Sequence, residues 1–375
     1  MLLDLIKVAV GDSHGLSFSP TNKQWSDAFD AALQHGIFGL FYAAINKLPS
    51  EQQPKEQTLR LKCFVIEDKL INSNDELDRV CAKVTKNFET EGFDSCILKG
   101  QGLSLLYPKE IVRSTGDIDI WVSPKNSKLP LKERRRQIYE YCKTVIPSCR
   151  AVYHHCQFPV FRQNVEVHFT PSWFFSPFKN RKVQAYFESQ WKNRYKTEKG
   201  FYVLSIETNL VYILIHNYRH LFHEGIELKH VLDYYYVLKK AYEDGLSNKG
   251  ENEYKIEAIE IFKSLGMMRF VAAMMWVQKF TFGLNDKYLL CIPNEKEGRF
   301  LFNEIMMNHT CSKYDSLSAT QTVQDSLILI GYRKCKRLLH FITHYPEEVF
   351  WAPLWKIWHY CWTNLNGFGS WKSSR

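Results

Sequence analysis

The feature that most constrains the fold is a short segment, Asp117–Val122, in which acidic and apolar residues alternate. In an extended strand, residues two apart point to the same side, so the segment predicts a strand with Asp117 and Asp119 on one face. Ile118 and Ile120 would then face a hydrophobic core. We call this segment the acidic strand, and its paired carboxylates predict a site for a hard cation.

A second alternating segment follows further along the chain. The residues from Cys156 to Phe161 and from Val165 to Phe169 are β-like and flank a turn-compatible segment, which predicts a hairpin. Glu166 and His168 share one face of its second strand. If that strand neighbours the acidic strand, Glu166 adds a third carboxylate. His168 would then orient Glu166 or contact a nucleotide, with a purely structural imidazole as the alternative.

Three converging carboxylates repel one another strongly unless cations neutralise them, and oxygen ligands are those that Mg²⁺ prefers. We therefore predict that Asp117, Asp119 and Glu166 are catalytic residues that bind Mg²⁺, with Mn²⁺ as a second choice. Two ions about 3.5–4 Å apart would activate an attacking hydroxyl and stabilise a leaving pyrophosphate. This arrangement is typical of nucleotidyl transfer.

A glycine turn ahead of the acidic strand is the predicted phosphate site. Ser95–Leu98 is β-like, Lys99 and Gly100 follow it, and Leu103–Tyr107 is helix-like. The glycine lets backbone N–H groups approach a phosphate at a helix N-terminus, and the lysine adds positive charge. Arg113 is predicted to give a second cationic contact to the nucleotide, although pairing with one of the acids is the alternative.

In this order, the motifs resemble the uncharacterised bacterial nucleotidyltransferase family of the DNA polymerase β-type superfamily. The matching strings are Leu98-Lys99-Gly100, Tyr107-Pro108, Arg113, Gly116–Val122, His154-His155, Val165–His168 and the stretch from Ile215-His216 to Asp233. The resemblance implies that Asp117 and Asp119 bind both metals. It also implies that Glu166 acts as or positions the base and that Gly100 opens the phosphate-binding helix. The superfamily usually has Gly-Ser or Gly-Gly at this turn, whereas Gln101 follows the glycine here.

Most of the remaining chain shows helical periodicity. Apolar residues recur at helical spacing from Asn22 to about Val84, where the polar run Asn72–Asp75 predicts a break or kink. A basic helix is predicted from about Leu131 to Val145. After Pro177 the pattern is helical throughout.

These patterns predict an α+β fold in three parts, because 375 residues exceed one ordinary compact domain. By the family resemblance, the mixed-sheet part at residues 86–175 is expected to be a small nucleotidyltransferase core of the polymerase β type. A helical N-terminal region, residues 1–85, and a helical C-terminal domain, residues 176–375, would flank it.

Composition excludes several classes of protein. Ten cysteines occur without a Cys-x-x-Cys pair, which argues against a zinc ribbon or a disulfide scaffold and predicts reduced thiols in the cytoplasm. No uninterrupted apolar run approaches the roughly 20 residues of a spanning helix, so integral membrane association is not expected. The net charge of +9 favours an anionic partner such as a nucleotide.

His216 and His220 lie four residues apart, a spacing that suits a metal ion on one face of a helix. No glutamate-containing zinc signature surrounds them. Packing, or a hydrogen bond to Asp233 or its neighbours, is therefore the preferred interpretation.

The predicted reaction transfers a nucleoside monophosphate from an NTP, with ATP as first choice, to an acceptor hydroxyl or amine and releases pyrophosphate. Three acceptors stay open: a small molecule, a protein side chain or an RNA end. The RNA end is less favoured because no RNA-binding module is recognisable. The alternative function is a non-catalytic nucleotide-binding or regulatory protein that retains the fold.

Overall fold

Helices make up most of the computed structural model, which describes residues 1–125, 128–223, 225–248, 253–308, 336–366 and 368. The helices include α1 (Leu2–Val10), α2 (Asn22–Gln34), α3 (Phe38–Lys47), α4 (Gln57–Thr90), α5 (Gln101–Ser104), α6 (Leu131–Val145), α7 (Pro177–Gln190), α8 (Ile206–Phe222), α9 (Leu228–Asn248), α10 (Glu253–Ser264), α11 (Met268–Phe282), α12 (Glu295–Asn308) and α13 (Pro346–Leu365). The strands are β1 (Phe93–Ile97), β2 (Ile118–Pro124), β3 (His155–Gln157), β4 (Val165–His168), β5 (Tyr195–Lys196) and β6 (Tyr202–Val203). No helix within the described ranges combines the length and the apolar character needed to cross a lipid bilayer.

The strands form one mixed sheet in the order β3-β4-β2-β1-β6-β5. Strand β2 is parallel to β4 and antiparallel to β1, while β6 is parallel to β1. The antiparallel pairing of β3 with β4 confirms the predicted hairpin. The chain after Pro177 is not helical throughout, because β5 and β6 extend the sheet. These two strands have two residues each, too short for a periodic pattern to reveal.

The chain divides into two compact units, each assembled from separated segments. The first unit combines residues 1–75 and 103–115 with the described part of 209–323. The second combines 76–102 and 116–208 with the described part of 324–375, and it contains the whole sheet. The three-part division by sequence position stays a prediction.

The core of the second unit lies on one face of the sheet. Ile118 and Ile120 of β2 are buried there together with Val165 and Val167 of β4, so the predicted inward face of the acidic strand is confirmed. Burial of each such aliphatic side chain contributes about 1.5–3 kcal/mol. The opposite face of β2 is also covered, since Trp121 is 1% exposed.

The predicted break at Asn72–Asp75 is wrong, because α4 continues through it to Thr90. Asn74 donates from Nδ2 to the carbonyl oxygens of Leu70, at 2.8 Å, and of Arg113, at 2.9 Å. An asparagine disfavours a helix when its side chain competes for the backbone of its own turn. Here the Asn74 backbone stays helical, and its side chain bonds to a carbonyl one turn back along α4.

The predicted helix Leu103–Tyr107 is also wrong in its position, because α5 is a single turn at Gln101–Ser104. Pro108 explains the early end, since the residue before a proline is disfavoured in the α region. Tyr107 closes the segment with a hydrogen bond from its N–H to the Ser104 carbonyl, at 3.2 Å.

Candidate functional site

Strands β2 and β4 bring two of the predicted carboxylates together. Asp119 lies opposite Glu166 in the parallel register, which confirms that β4 neighbours the acidic strand. Side chains opposite each other in neighbouring strands project from the same face of the sheet. Asp119 is 1% exposed, while the Glu166 side chain retains 29% of its accessible surface. One carboxylate is therefore enclosed, and the other is reachable by solvent.

His168 connects these two carboxylates. Its Nε2 lies 2.9 Å from Oδ1 of Asp119 and 3.5 Å from Oε2 of Glu166. Both partners are acids from adjacent strands, so the imidazole holds the pair at a defined separation. These contacts fit an orienting role for His168, and a nucleotide contact by this residue stays a prediction.

A second imidazole reaches the same cluster from β3. His155 pairs with His168 across the antiparallel register, and its Nε2 lies 3.7 Å from Oε1 of Glu166. Its Nδ1 makes a 2.9 Å hydrogen bond with Nε2 of His154. His155, Glu166 and His168 each offer a ligand atom within 4.8 Å of the others. In the sequence, His155 appears only in the His154-His155 string of the family resemblance, because the strand register that brings it to Glu166 cannot be read from a local pattern.

The glycine turn after β1 lies beside Asp119. Leu98 donates its backbone N–H to the Asp119 carbonyl, at 2.9 Å, and the Nζ of Lys99 lies 3.4 Å from Oδ2 of the same residue. Gly100 has a φ of +59°, a conformation that L side chains rarely adopt. A Cβ on Gly100 would lie 3.5 Å from the Asp117 carbonyl oxygen, so the turn and the first acid of the strand are neighbours.

The two residues after Gly100 pack within the second unit. Gln101 donates from Nε2 to Oδ1 of Asp78 on α4, at 2.7 Å. A Cβ on Gly102 would lie 3.3 Å from the Ile97 carbonyl oxygen, closer than most such contacts. Gln101, which replaces the usual serine or glycine at this position, therefore contacts α4 through its side chain. Gly102, the second glycine, lets the turn approach β1 closely.

The charges of the cluster are set by burial and by these contacts. Burial raises the pKa of Asp119, but Lys99 and His168 outweigh it and hold that pKa well below its usual range. Burial lowers the pKa of His168, but hydrogen bonds to Asp119 and Glu166 outweigh it and raise that pKa to about 9. The pKa of Glu166 is lowered, because His168 outweighs burial there too. Burial lowers the pKa of His155 to about 4.

At neutral pH the cluster therefore holds two carboxylates, an imidazolium at His168 and a neutral imidazole at His155. The two carboxylates and the neutral imidazole of His155 suit a divalent cation, whereas protonated His168 has no lone pair to offer a metal ion. Oδ2 of Asp119 is buried and makes no hydrogen bond within the described ranges, and the Lys99 ammonium 3.4 Å away is the charge that compensates it there. Carboxylate oxygens suit Mg²⁺ and Mn²⁺, and imidazole nitrogens suit borderline metals.

Asp117 lies at the edge of this arrangement. Strand β2 begins at Ile118, so the prediction that Asp117 is part of the strand is wrong by one residue. Its side chain is exposed, and none of the hydrogen bonds or ion pairs described for the cluster involves its carboxylate. A role for Asp117 in metal binding stays a prediction.

Arg113 belongs to the first unit, where it pairs with an acid. Its Nε and Nη2 donate to the two carboxylate oxygens of Asp233, at 2.7 and 2.8 Å. Tyr107 donates its hydroxyl to Oδ1 of the same residue, at 2.7 Å. The guanidinium is thus held in a buried, bidentate ion pair. The sequence offered pairing with one of the three predicted site acids as an alternative, and the acid in the structure is Asp233 instead. A nucleotide contact by Arg113 stays a prediction.

Comparison with known proteins adds an independent finding. A family model described as "Uncharacterised nucleotidyltransferase" matches residues 21–279, more than half of the chain. The crystal structure of an antigenic nucleotidyltransferase-like protein from Paracoccidioides brasiliensis is similar at 14% identity. That similarity covers 52% of this chain and 93% of that one, with a TM-score of 0.30, too low to carry an argument. No match was found among curated proteins.

Proposed function

Because this chain belongs to the family described as uncharacterised nucleotidyltransferases, we propose that it transfers a nucleoside monophosphate from an NTP to an acceptor hydroxyl or amine. The observation that carries the proposal is the pairing of Asp119 with Glu166 across parallel strands, with Lys99 beside them. Two neighbouring acids can bind a metal ion, and a lysine at a glycine turn can bind phosphate; in-line nucleotidyl transfer depends on such positioning and charge neutralisation.

In the proposed site, Asp119 and Glu166 bind a divalent cation, Mg²⁺ or Mn²⁺, and Asp117 joins them. The cation would supply charge neutralisation at the phosphates and a lowered pKa for the acceptor hydroxyl. Lys99 attracts the triphosphate to the glycine turn. His168 holds the two acids at a fixed separation, which limits the reorganisation needed when the nucleotide arrives.

The bonds that change follow from the chemistry of the phosphates. The acceptor oxygen or nitrogen forms a bond to the α-phosphorus, and the bond from that phosphorus to the bridging oxygen of the β-phosphate breaks. Pyrophosphate leaves with the electron pair of the broken bond. Glu166 is ionised at neutral pH, so it takes the acceptor's proton or positions the group that does.

ATP is the first nucleotide to test, and a small molecule or a protein side chain is the first choice of acceptor. An RNA end is the third choice. The net charge of +9 supports an anionic substrate in general and does not select among these acceptors.

The test is incubation of the protein with each labelled NTP, Mg²⁺ or Mn²⁺ and cell extract. Pyrophosphate release and label transfer to the protein or to extract components are followed. We expect Asp119→Ala to lower the rate by at least about 100-fold, because changes that only disturb a metal ligand's surroundings already cost 10–100-fold. Glu198→Ala, at an exposed acid of the second unit, is the matched control and keeps full activity.

Saturable NTP binding without label transfer, across several extracts, would contradict the proposal. That outcome would instead support the alternative function, a nucleotide-binding or regulatory protein that retains the fold.

A further inference from the structure

A second cluster of possible metal ligands lies in the first unit, on residues that the proposed reaction does not use. His216 and His220 lie one turn apart on α8, and His230 lies in the first turn of α9. Each offers a ring nitrogen within 4.8 Å of the other two. The ring centroids of His216 and His220 are 4.3 Å apart, and those of His220 and His230 are 4.9 Å apart. All three side chains are half-buried, so an ion could reach them from solvent.

We propose that these three imidazoles bind one borderline divalent metal ion, of which Zn²⁺ is the first choice. Neutral imidazole nitrogens suit Zn²⁺, and three protein ligands leave a fourth tetrahedral position for water or substrate. The i, i+4 spacing places His216 and His220 on the same face of α8. The sequence alone showed only this pair, whereas the packing of α9 on α8 supplies the third nitrogen.

The two helices are fastened to each other at the cluster. Asn217, which is fully buried and adjacent to His216, donates from Nδ2 to the His230 carbonyl oxygen, at 3.3 Å. Tyr234, one turn further along α9, donates its hydroxyl to the Leu210 carbonyl of α8, at 3.1 Å. The backbone that carries all three imidazoles is therefore held before any ion binds, which favours a preformed site.

The sequence favoured packing of His216 and His220 or a hydrogen bond from one of them to Asp233. In the structure, Asp233 has other hydrogen-bond donors. The two carboxylate oxygens of Asp233 already accept three hydrogen bonds, from Arg113 and Tyr107. Two of these donors belong to a buried guanidinium, and such charge-assisted bonds are the strong ones. The Arg113 ion pair and the Tyr107 hydroxyl therefore hold this carboxylate in place.

One contact must change when the ion binds. The backbone N–H of Glu227 donates to Nδ1 of His230, at 3.1 Å, so that nitrogen carries no proton. An ion on Nδ1 would take the lone pair that Glu227 uses. An ion on Nε2 would require the proton on Nδ1, where it would oppose the Glu227 N–H. Either mode of coordination releases the Glu227 amide, and this provides a specific signature.

The first experiment is calorimetric titration of the metal-free, full-length protein with Zn²⁺. We expect His216→Ala and His220→Ala each to weaken one binding event by at least about tenfold, the lower end for disturbed metal sites. His14→Ala, at an exposed histidine of the same unit, is the matched control and binds as wild type does. Any Zn²⁺ held at Glu166 and its neighbours stays unchanged in all three variants, so this result is independent of the proposed reaction.

The second experiment needs no substitution and decides the question if a variant does not fold. Hydrogen exchange of the Glu227 amide is measured in the wild-type protein with and without Zn²⁺. We expect exchange of this amide to accelerate in the presence of Zn²⁺. The proposal is overturned if exchange is unchanged at saturating Zn²⁺, or if a folded His220→Ala variant, checked by circular dichroism, binds Zn²⁺ as wild type does.

Discussion

His168 is the residue on which the charge balance of the second unit's site depends. Two acids from adjacent strands face one imidazole, whose pKa is raised to about 9 because its hydrogen bonds to them outweigh burial. In the absence of a metal ion, the protonated ring therefore supplies part of the positive charge that the carboxylates need. Either a divalent cation or this imidazolium can neutralise the negative charge of Asp119 and Glu166.

We predict that His168→Gln lowers the free energy of unfolding in the presence of a chelator by about 1.5–3 kcal/mol, the usual contribution of a hydrogen bond to a charged group. The neutral amide can still bond to Asp119, but it cannot neutralise the acids. Denaturant unfolding with chelator and then with Mn²⁺ measures the effect. We expect Mn²⁺ to stabilise this variant more than it stabilises wild type.

The matched control for His168→Gln is His14→Gln, which changes an exposed histidine. Equal stability of His168→Gln and wild type in chelator would show that the imidazolium is not needed to balance the two acids.

At the scale of single elements, helix α3 of the first unit packs at Gly39 directly against the backbone of Val112. A Cβ on this residue would lie 1.9 Å from the Val112 carbonyl oxygen, which belongs to the backbone and cannot rotate away. We predict that Gly39→Ala destabilises the protein by about 1–3 kcal/mol, the usual cost of overpacking, despite alanine's better helix propensity. Gly116→Ala is the control, because a Cβ there has no atom within 4 Å among its described neighbours.

Denaturant unfolding of the two glycine variants measures this difference. If Gly39→Ala were as stable as Gly116→Ala, α3 would have to move away from Val112 at little cost, and the close packing described here would be wrong.

Helix α13 of the second unit carries a histidine that accepts a hydrogen bond only while it is neutral. Nε2 of His359 accepts the backbone N–H of Tyr153, at 3.1 Å, and burial lowers the pKa of His359 from 6.5 to about 4. The unfolded chain therefore binds this proton more readily than the folded chain does. The contribution of His359 to stability is present above pH 6.5 and is lost as the pH falls from 6.5 towards 4.

We predict that His359→Phe removes this part of the pH dependence. The free energy of unfolding of wild type should fall faster between pH 6.5 and pH 4 than that of the variant. Urea unfolding at several pH values measures both slopes. Parallel slopes would mean that His359 titrates alike in the folded and unfolded chains.

At the scale of the whole molecule, the first unit must hold together segments that are far apart in sequence. Arg113 and Tyr107 lie in the short segment 103–115, and both donate to Asp233 on α9. Arg113 and Asp233 are 7% and 3% exposed, so their charges compensate each other out of contact with water.

We predict that Asp233→Asn lowers the free energy of unfolding by about 3–5 kcal/mol, because it leaves a buried guanidinium without its counter-ion. Asp286→Asn, which breaks an exposed ion pair with Lys279, is the control and should change stability by about 1 kcal/mol or less. Denaturant unfolding of both variants tests the difference. A loss of similar size in the two variants would show that burial does not set the strength of the Arg113 pair.

The local patterns of the sequence identified the elements that carry the candidate site. Alternation identified β2 and β4 as strands, and periodicity placed a helix at Leu131–Val145, where α6 lies. Local patterns did not reveal that the polar run Asn72–Asp75 is helical, because side-chain hydrogen bonds hold it in α4. They also did not reveal β5 and β6, because two residues are too few to show an alternation. Local propensity is a weak guide wherever contacts from distant segments satisfy the polar groups.

By itself, the sequence determined that Asp119, Glu166 and His168 sit on the polar faces of strands, because the alternation of side chains along a strand is a local property. Only the tertiary structure decided that Asp119 lies opposite Glu166 and that His155 joins them. It likewise decided that His230 meets the histidine pair of α8. Strand register and helix packing are interactions between distant residues, and their energies depend on the whole set of contacts rather than on any short segment.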